Sequence, residues 1–215
     1  MRPRSQRLMQ NALILPILIT FLISGCASTK QLEIFTKEIE RTPNPDAMRF
    51  VLAEPLTNGI TRSYEDADSA KDDALASSLF EIDHVINVYY VDKYITVTQD
   101  GGAVWSELLR KLAPPIREAE AQDHLEDDQE VHVSKEAMES DDPRLGEINR
   151  MLDEQVRPYL LADGGGLKVL SLEDNRLKVH YQGACGTCPT ATTGTLYAIE
   201  SMVKRIDPEI QVISV

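Results

Sequence analysis

The chain has 215 residues, 42% of them apolar, and a formal net charge of −13 at neutral pH. That is enough chain for one large domain or two small ones, with the apolar content of an ordinary soluble globular protein. The acidic balance argues against a nucleic-acid binder, which needs clustered Lys and Arg to meet phosphates, and three cysteines with one close pair are too few for a disulfide-stapled secreted scaffold.

Residues 1–41 read as a leader and a polar extension. Arg2, Arg4 and Arg7 precede the apolar run NALILPILITFLISGC, which ends in small residues and Cys26. This is the layout of a secretory signal peptide, and Ile23-Ser24-Gly25-Cys26 resembles a lipobox whose cysteine would be acylated. The run is short for a membrane span and is broken by Pro16. Two readings follow: a membrane-anchored lipoprotein held through Cys26, or an N-terminal extension on a cytoplasmic protein. Residues 27–41 are polar and predict no element.

From Thr42 to Arg117 the pattern is that of a small α+β domain. The Pro- and Asn-rich turn of RTPNPDAMRFVL leads into a strand over 48–52. Ala70, Ala74, Leu75, Leu79 and Phe80 predict a helix over about 68–80. The β-branched and aromatic runs on either side of Asp92-Lys93 predict a hairpin. Val104, Leu108, Leu109 and Leu112 share one face of a helix that Pro114-Pro115 is expected to end. Residues 118–142 are acidic and poor in bulky apolar side chains, so they are expected to form an extended linker.

A second α+β domain is expected over 143–215. Asp142 suits an N-cap and Pro143 the first helical position. Leu145, Ile148, Met151, Leu152, Val156 and Leu160 recur at helical spacing until Gly164-Gly165-Gly166, read as a helix stop. Two alternating strands meet at Glu173-Asp174-Asn175. The cysteine turn QGACGTCP, a helix carrying Leu196, Ile199, Met202, Val203 and Ile206, and the strand EIQVISV complete the chain.

Chemistry concentrates in the cysteine turn. Cys185 and Cys188 fall between a strand end and a helix start, where unpaired backbone N–H groups and the helix dipole favour thiolate and are expected to lower its pKa. Gly183 and Gly186 allow the tight turn, and Thr187 and Thr190 could add hydroxyl donors. Structural zinc and the common iron–sulfur clusters each take four ligands, and this domain offers two. His180, on the preceding strand, is expected to be a surface or core residue rather than a ligand. A two-fold pairing of chains would double the thiols.

The segment VRPYLLADGGGLKV, with Arg157-Pro158 and Asp163-Gly164-Gly165, and the turn Gly183, Cys185, Cys188, Pro189 with its following helix resemble the C-terminal domain of the NifU-like, Nfu-type iron–sulfur scaffold family. Gly166 departs from that pattern, standing where relatives often carry a charged or polar residue. Residues 42–117, opening on the Thr-Pro-Asn-Pro turn, resemble the family's N-terminal domain, which has no catalytic residues of its own. The resemblance implies a homodimer that binds one 4Fe-4S cluster, with 2Fe-2S as the alternative, shared between two subunits through Cys185 and Cys188 of each. The cluster would come from an upstream donor and pass to recipient apo iron–sulfur proteins, so no enzymatic activity is expected. The family match begins near Thr42, outside the leader, and an exchangeable cluster needs a reducing space, so a cytoplasmic protein is expected.

The alternative function is a thioredoxin-like dithiol oxidoreductase using Cys185 and Cys188. It would usually place a tryptophan before the first cysteine, whereas Gln182-Gly183-Ala184 stands there and the sole tryptophan, Trp105, lies in the other domain. Zinc at a dimeric thiolate site ranks third. Plain structural cysteines would not account for the glycines on both sides.

Overall fold

The first domain is built on strands whose inward and outward residues differ in kind. Described in the computed structural model are residues 36–121, 137, 140 and 142–215. The leader with Cys26 and most of the acidic segment lie outside them. Strands β1 (Thr36–Arg41), β2 (Ala47–Leu52), β3 (Thr61–Tyr64), β4 (Val85–Val91) and β5 (Tyr94–Gln99) form one antiparallel sheet in the order β1-β2-β5-β4-β3. Cross-strand partners share a face. One row runs Phe50–Ile95–Tyr90, the next Arg49–Thr96–Tyr89–Ser63. The first row, with Met48, Leu52, Val88 and Val97, packs against α1 (Ala74–Phe80) and α2 (Trp105–Arg117) through Leu75, Leu79, Leu108, Leu112 and Ile116. Each such side chain removed from water contributes about 1.5–3 kcal/mol.

Two strands go beyond those expected. β1 lies in a segment that reads as polar extension, because an edge strand with charged alternate residues carries little apolar signal. β3 reads Thr-Arg-Ser-Tyr, and its polar residues hide it. Helix α1 begins at Ala74 rather than near 68. Asp73 fixes that start, its Oδ1 accepting from Ala76 N at 2.8 Å. Its Oδ2 accepts from the hydroxyls of Tyr64, at 2.9 Å, and Tyr90. Burial first, and then the Asp73 carboxylate, hold both phenols well above their ordinary pKa. Helix α2 continues through Pro114-Pro115 to Arg117. Both prolines sit in its last turns, their fixed φ suits a helix, and Ile116 beyond them is fully buried.

In the second domain α3 (Pro143–Gln155) is capped by Asp142, whose carboxylate accepts from Arg144 N at 3.0 Å. The single expected helix is two, since α4 (Arg157–Ala162) follows a break at Val156. Pro158 has no N–H for the helical bond and its ring would strike a carbonyl one turn back. Strands β6 (Gly165–Glu173) and β7 (Arg176–Gly183) are antiparallel, joined by Asp174-Asn175, both at positive φ, the backbone that a two-residue hairpin requires. Helix α5 (Pro189–Val203) crosses to β8 (Gln211–Ser214), which runs parallel to β7 in a sheet ordered β6-β7-β8. Ile148, Leu152, Leu167, Val169, Val179, Ile199 and Val203 form a core separate from the first. The protein is thus α+β, with two domains, and its described residues fall in one compact unit.

The domains meet across the polar face of the five-stranded sheet. Strand β7 lies against β3, β4 and β5. Tyr89, Thr96 and Thr98 are at most 2% exposed although none belongs to either apolar core. Arg49 donates to the Leu161 carbonyl at 2.7 Å, meeting the negative end of α4. His180 Nε2 lies 2.6 Å from Glu65 Oε1.

Candidate functional site

Strand β7 delivers the thiol turn and α5 carries it away. Gly183 has φ +61°, a backbone that favours glycine, and a Cβ there would stand 2.8 Å from the Gly164 carbonyl oxygen and 2.9 Å from the Tyr89 ring. Ala184 N donates to Gly164 O at 3.2 Å and Gly186 N to Gly183 O at 3.1 Å, closing the turn. Cys188 is the N-cap residue of α5 and Pro189 its first helical residue. Both cysteines are thiols outside any disulfide, Cys185 3% and Cys188 5% exposed.

The Gly-Gly-Gly segment does more than end a helix. Gly165 and Gly166 are in β6. A Cβ on Gly165 would lie 2.6 Å from Cys185 Sγ and 2.9 Å from Cys185 N, so the bare backbone there makes the seat of that sulfur. A Cβ on Gly166 would lie 2.8 Å from the Tyr89 hydroxyl. Both glycines serve close approach.

The expected lowering of thiol pKa is not found at Cys185. Burial first, then the charges of Asp163 and Cys188, push it up to about 12. The reason is that the turn is covered, and desolvation outweighs the favourable end of α5. Tyr181, buried beside it, is likewise raised, by burial and then by Cys185.

His180 does not join the cysteines. Besides its contact to Glu65, its Nδ1 lies 2.9 Å from the Val215 carbonyl. Arg157, in sequence only part of a motif, is a buried clamp. It reaches Leu167 O (3.2 Å), Asn149 O (3.3 Å), Asn149 Oδ1 (3.0 Å) and Asp153 Oδ1 (2.7 Å), and burial lowers its pKa. It fastens α3, α4 and the start of β6, and so positions the glycines beside Cys185.

Asn44 is in sequence only a turn residue. Its Nδ2 donates to Ala184 O at 3.0 Å and to Thr187 Oγ1 at 2.8 Å. It thereby spans the cysteine turn from the other domain, a contact that no local sequence signal announces. Among the described residues no group of three or more His, Cys, Asp or Glu side chains is arranged to hold a metal ion, and no helix is long and apolar enough to cross a membrane. The chemistry present is two soft sulfur donors on a glycine-lined turn.

Two family models match the chain, one over each domain. Residues 37–123 match the family described as scaffold protein Nfu/NifU N terminal, and residues 148–214 match the NifU-like domain. Each of the two domains of the fold is thus matched by its own model, one of Nfu/NifU N-terminal type and one NifU-like. The chain belongs to the NifU-like, Nfu-type family. It is 26% identical over 176 residues to the protein named NFU1 iron-sulfur cluster scaffold homolog, mitochondrial, of Drosophila erecta, and equally to that of Drosophila yakuba. Those alignments cover 81% of this chain and 62% of each relative. Among solved structures, the crystal structure of Staphylococcus aureus protein SAV1430 aligns at 23% identity and TM-score 0.34, covering 39% of this chain and 98% of that one.

Proposed function

We propose that this protein is an iron–sulfur cluster scaffold or carrier, in which Cys185 and Cys188 of two copies supply four thiolates to one 4Fe-4S cluster that is passed to apoproteins. The observation that carries the reading is the incomplete donor set. The turn presents two thiols, and no third His, Cys, Asp or Glu among the described residues forms a metal-binding group with them. Cluster types of this kind take four sulfur ligands, so a second copy completes the set. A Cβ on Gly165 would strike Cys185 Sγ, so that sulfur rests against bare backbone rather than a side chain. The names of the relatives point to the same cargo. The reading places the chain in a reducing compartment, with a donor and recipients of its own.

The dithiol oxidoreductase alternative has less support. Such sites usually place a tryptophan before the first cysteine, and Gln182-Gly183-Ala184 stands there.

The test is anaerobic reconstitution with ferrous iron and sulfide, followed by iron and sulfide analysis and sedimentation. About four iron and four sulfide per dimer are expected, with both lost in Cys185→Ser and in Cys188→Ser. A monomer retaining a full complement of iron would overturn the reading.

A further inference from the structure

We propose that the first domain is a reversible cover for the cysteine turn, so that the docked arrangement and access to Cys188 exclude one another. The use of the thiols rests on the reading above; the cover itself rests on the interface.

Three observations carry it. First, the first domain holds the turn itself. Asn44 donates to the residue before Cys185 and to the residue before Cys188. It is aimed there by its own turn. Thr42 Oγ1 donates to the carbonyls of Asn44 and Ala47 at 2.8 and 3.1 Å, Asp46 N donates to Asn44 Oδ1 at 3.0 Å, and Trp105 Nε1 donates to Pro45 O at 3.1 Å. The Thr-Pro-Asn-Pro turn is thus a rigid finger rather than a loose loop.

Second, the fit is made by missing side chains. Gly164, with φ +83°, would meet Thr42 Cγ2 at 2.9 Å and Thr96 Oγ1 at 3.2 Å if it carried a Cβ, while Gly166 and Gly183 would meet Tyr89. The glycine face of the second domain is matched to the polar face of the first sheet.

Third, the interface is of a kind that can be given up. The side-chain oxygens of Ser63, Asn87, Thr96 and Thr98, all on that face or at its edge, find no hydrogen-bond partner among the described residues. Water would satisfy them on separation, which offsets the breaking of the hydrogen bonds between the domains. Neither apolar core is opened, since the two are distinct.

Cys185 packs within the core of its own domain, whereas Cys188 is equally hidden without belonging to it. Asn44 holds Thr187, the neighbour of Cys188, so release of the first domain is expected to expose Cys188 more than Cys185. Thiols held in this way cannot meet those of a second copy until the domains part.

The experiment is alkylation of the full-length, iron-free chain with iodoacetamide, read peptide by peptide by mass spectrometry. Thr96→Arg drives a long side chain against Gly164. Asn44→Asp keeps the acceptor used by Asp46 and removes the donor to Ala184 and Thr187. The rate at a masked thiol scales with the fraction of open molecules, so Thr96→Arg should speed Cys188 alkylation by about tenfold or more and Asn44→Asp by a few-fold. Circular dichroism checks that each variant is folded. If Thr96→Arg does not fold, Asn44→Asp alone decides. Wild-type Cys188 reacting as fast as in the folded variants overturns the cover. Iron uptake, measured separately on the same chains, bears on the cluster reading and not on the cover, so the two can fail independently.

Discussion

On one face of the five-stranded sheet, Phe50, Tyr90, Ile95 and Val97 meet the apolar sides of α1 and α2. On the other face, which carries Arg49, Ser63, Tyr89 and Thr96, Tyr89 and Thr96 meet the glycine-rich backbone of the second domain and Arg49 donates to the Leu161 carbonyl. Both faces are buried, but for different reasons. The apolar side is closed by the hydrophobic effect for as long as the domain is folded. The polar side is closed by shape and a few hydrogen bonds, and leaves hydroxyls with no partner among the described residues. Burial alone does not say whether a cover is permanent, whereas the chemistry of what is covered does.

Substitutions on the two faces should therefore behave differently. The largest effect is expected on the apolar side. Phe50→Ala leaves a cavity beneath the helices and should cost about 3–5 kcal/mol in urea unfolding; a loss below about 1 kcal/mol would mean that this face is not the permanent one.

A smaller effect tests the second domain, which supplies the other cover. The Arg144 side chain donates to Asp142 and holds its carboxyl below the usual carboxylate range. Because the folded-state pKa is depressed, the resulting stability is complete above the ordinary Asp value of about 4 and is lost as pH falls through the lowered value. The contribution should be under about 1 kcal/mol, as for other solvated ion pairs. Acid titration of unfolding in wild type and Asp142→Asn measures it, and two parallel curves below pH about 4 would contradict it.

The smallest effect belongs to the polar face. Thr96→Val removes a buried hydroxyl that has no partner among the described residues, so stability should stay within about 0.5 kcal/mol of wild type or rise slightly. A loss above about 2 kcal/mol would show that the hydroxyl is satisfied after all and that this face is as fixed as the other.

How far the sequence could lead is seen in the same two faces. Periodic apolar residues such as Leu108 and Leu112, or Ile148 and Leu152, report their helices, and Asp174-Asn175 its hairpin, because those signals are local. β1 and β3 escape notice because their residues are charged or polar, the pattern of an edge strand and of a face buried only by another domain. Ala70 mimics a helical position and so advances the expected start of α1. Pro158 divides a helix whose period is otherwise continuous. At the site, the cysteines are legible from spacing, and their turn between β7 and α5 lies where expected. The thiol environment is not, since it depends on burial of the turn and on contacts such as that of Asn44 with Ala184 and Thr187, which tertiary structure brings in. The glycines at 165 and 166 look like punctuation in the sequence when their function is proximity.

Arg157 carries one more implication. A single guanidinium ties the end of α3, the turn into α4 and the first residues of β6, and with them the floor under Cys185. Fraying any one of these segments would strand a cation with its partners withdrawn, which is costly away from water. The neighbourhood of the sulfur should therefore melt as a single block, so that when the two halves of the molecule separate, what emerges is a finished docking plate and not a loosened loop.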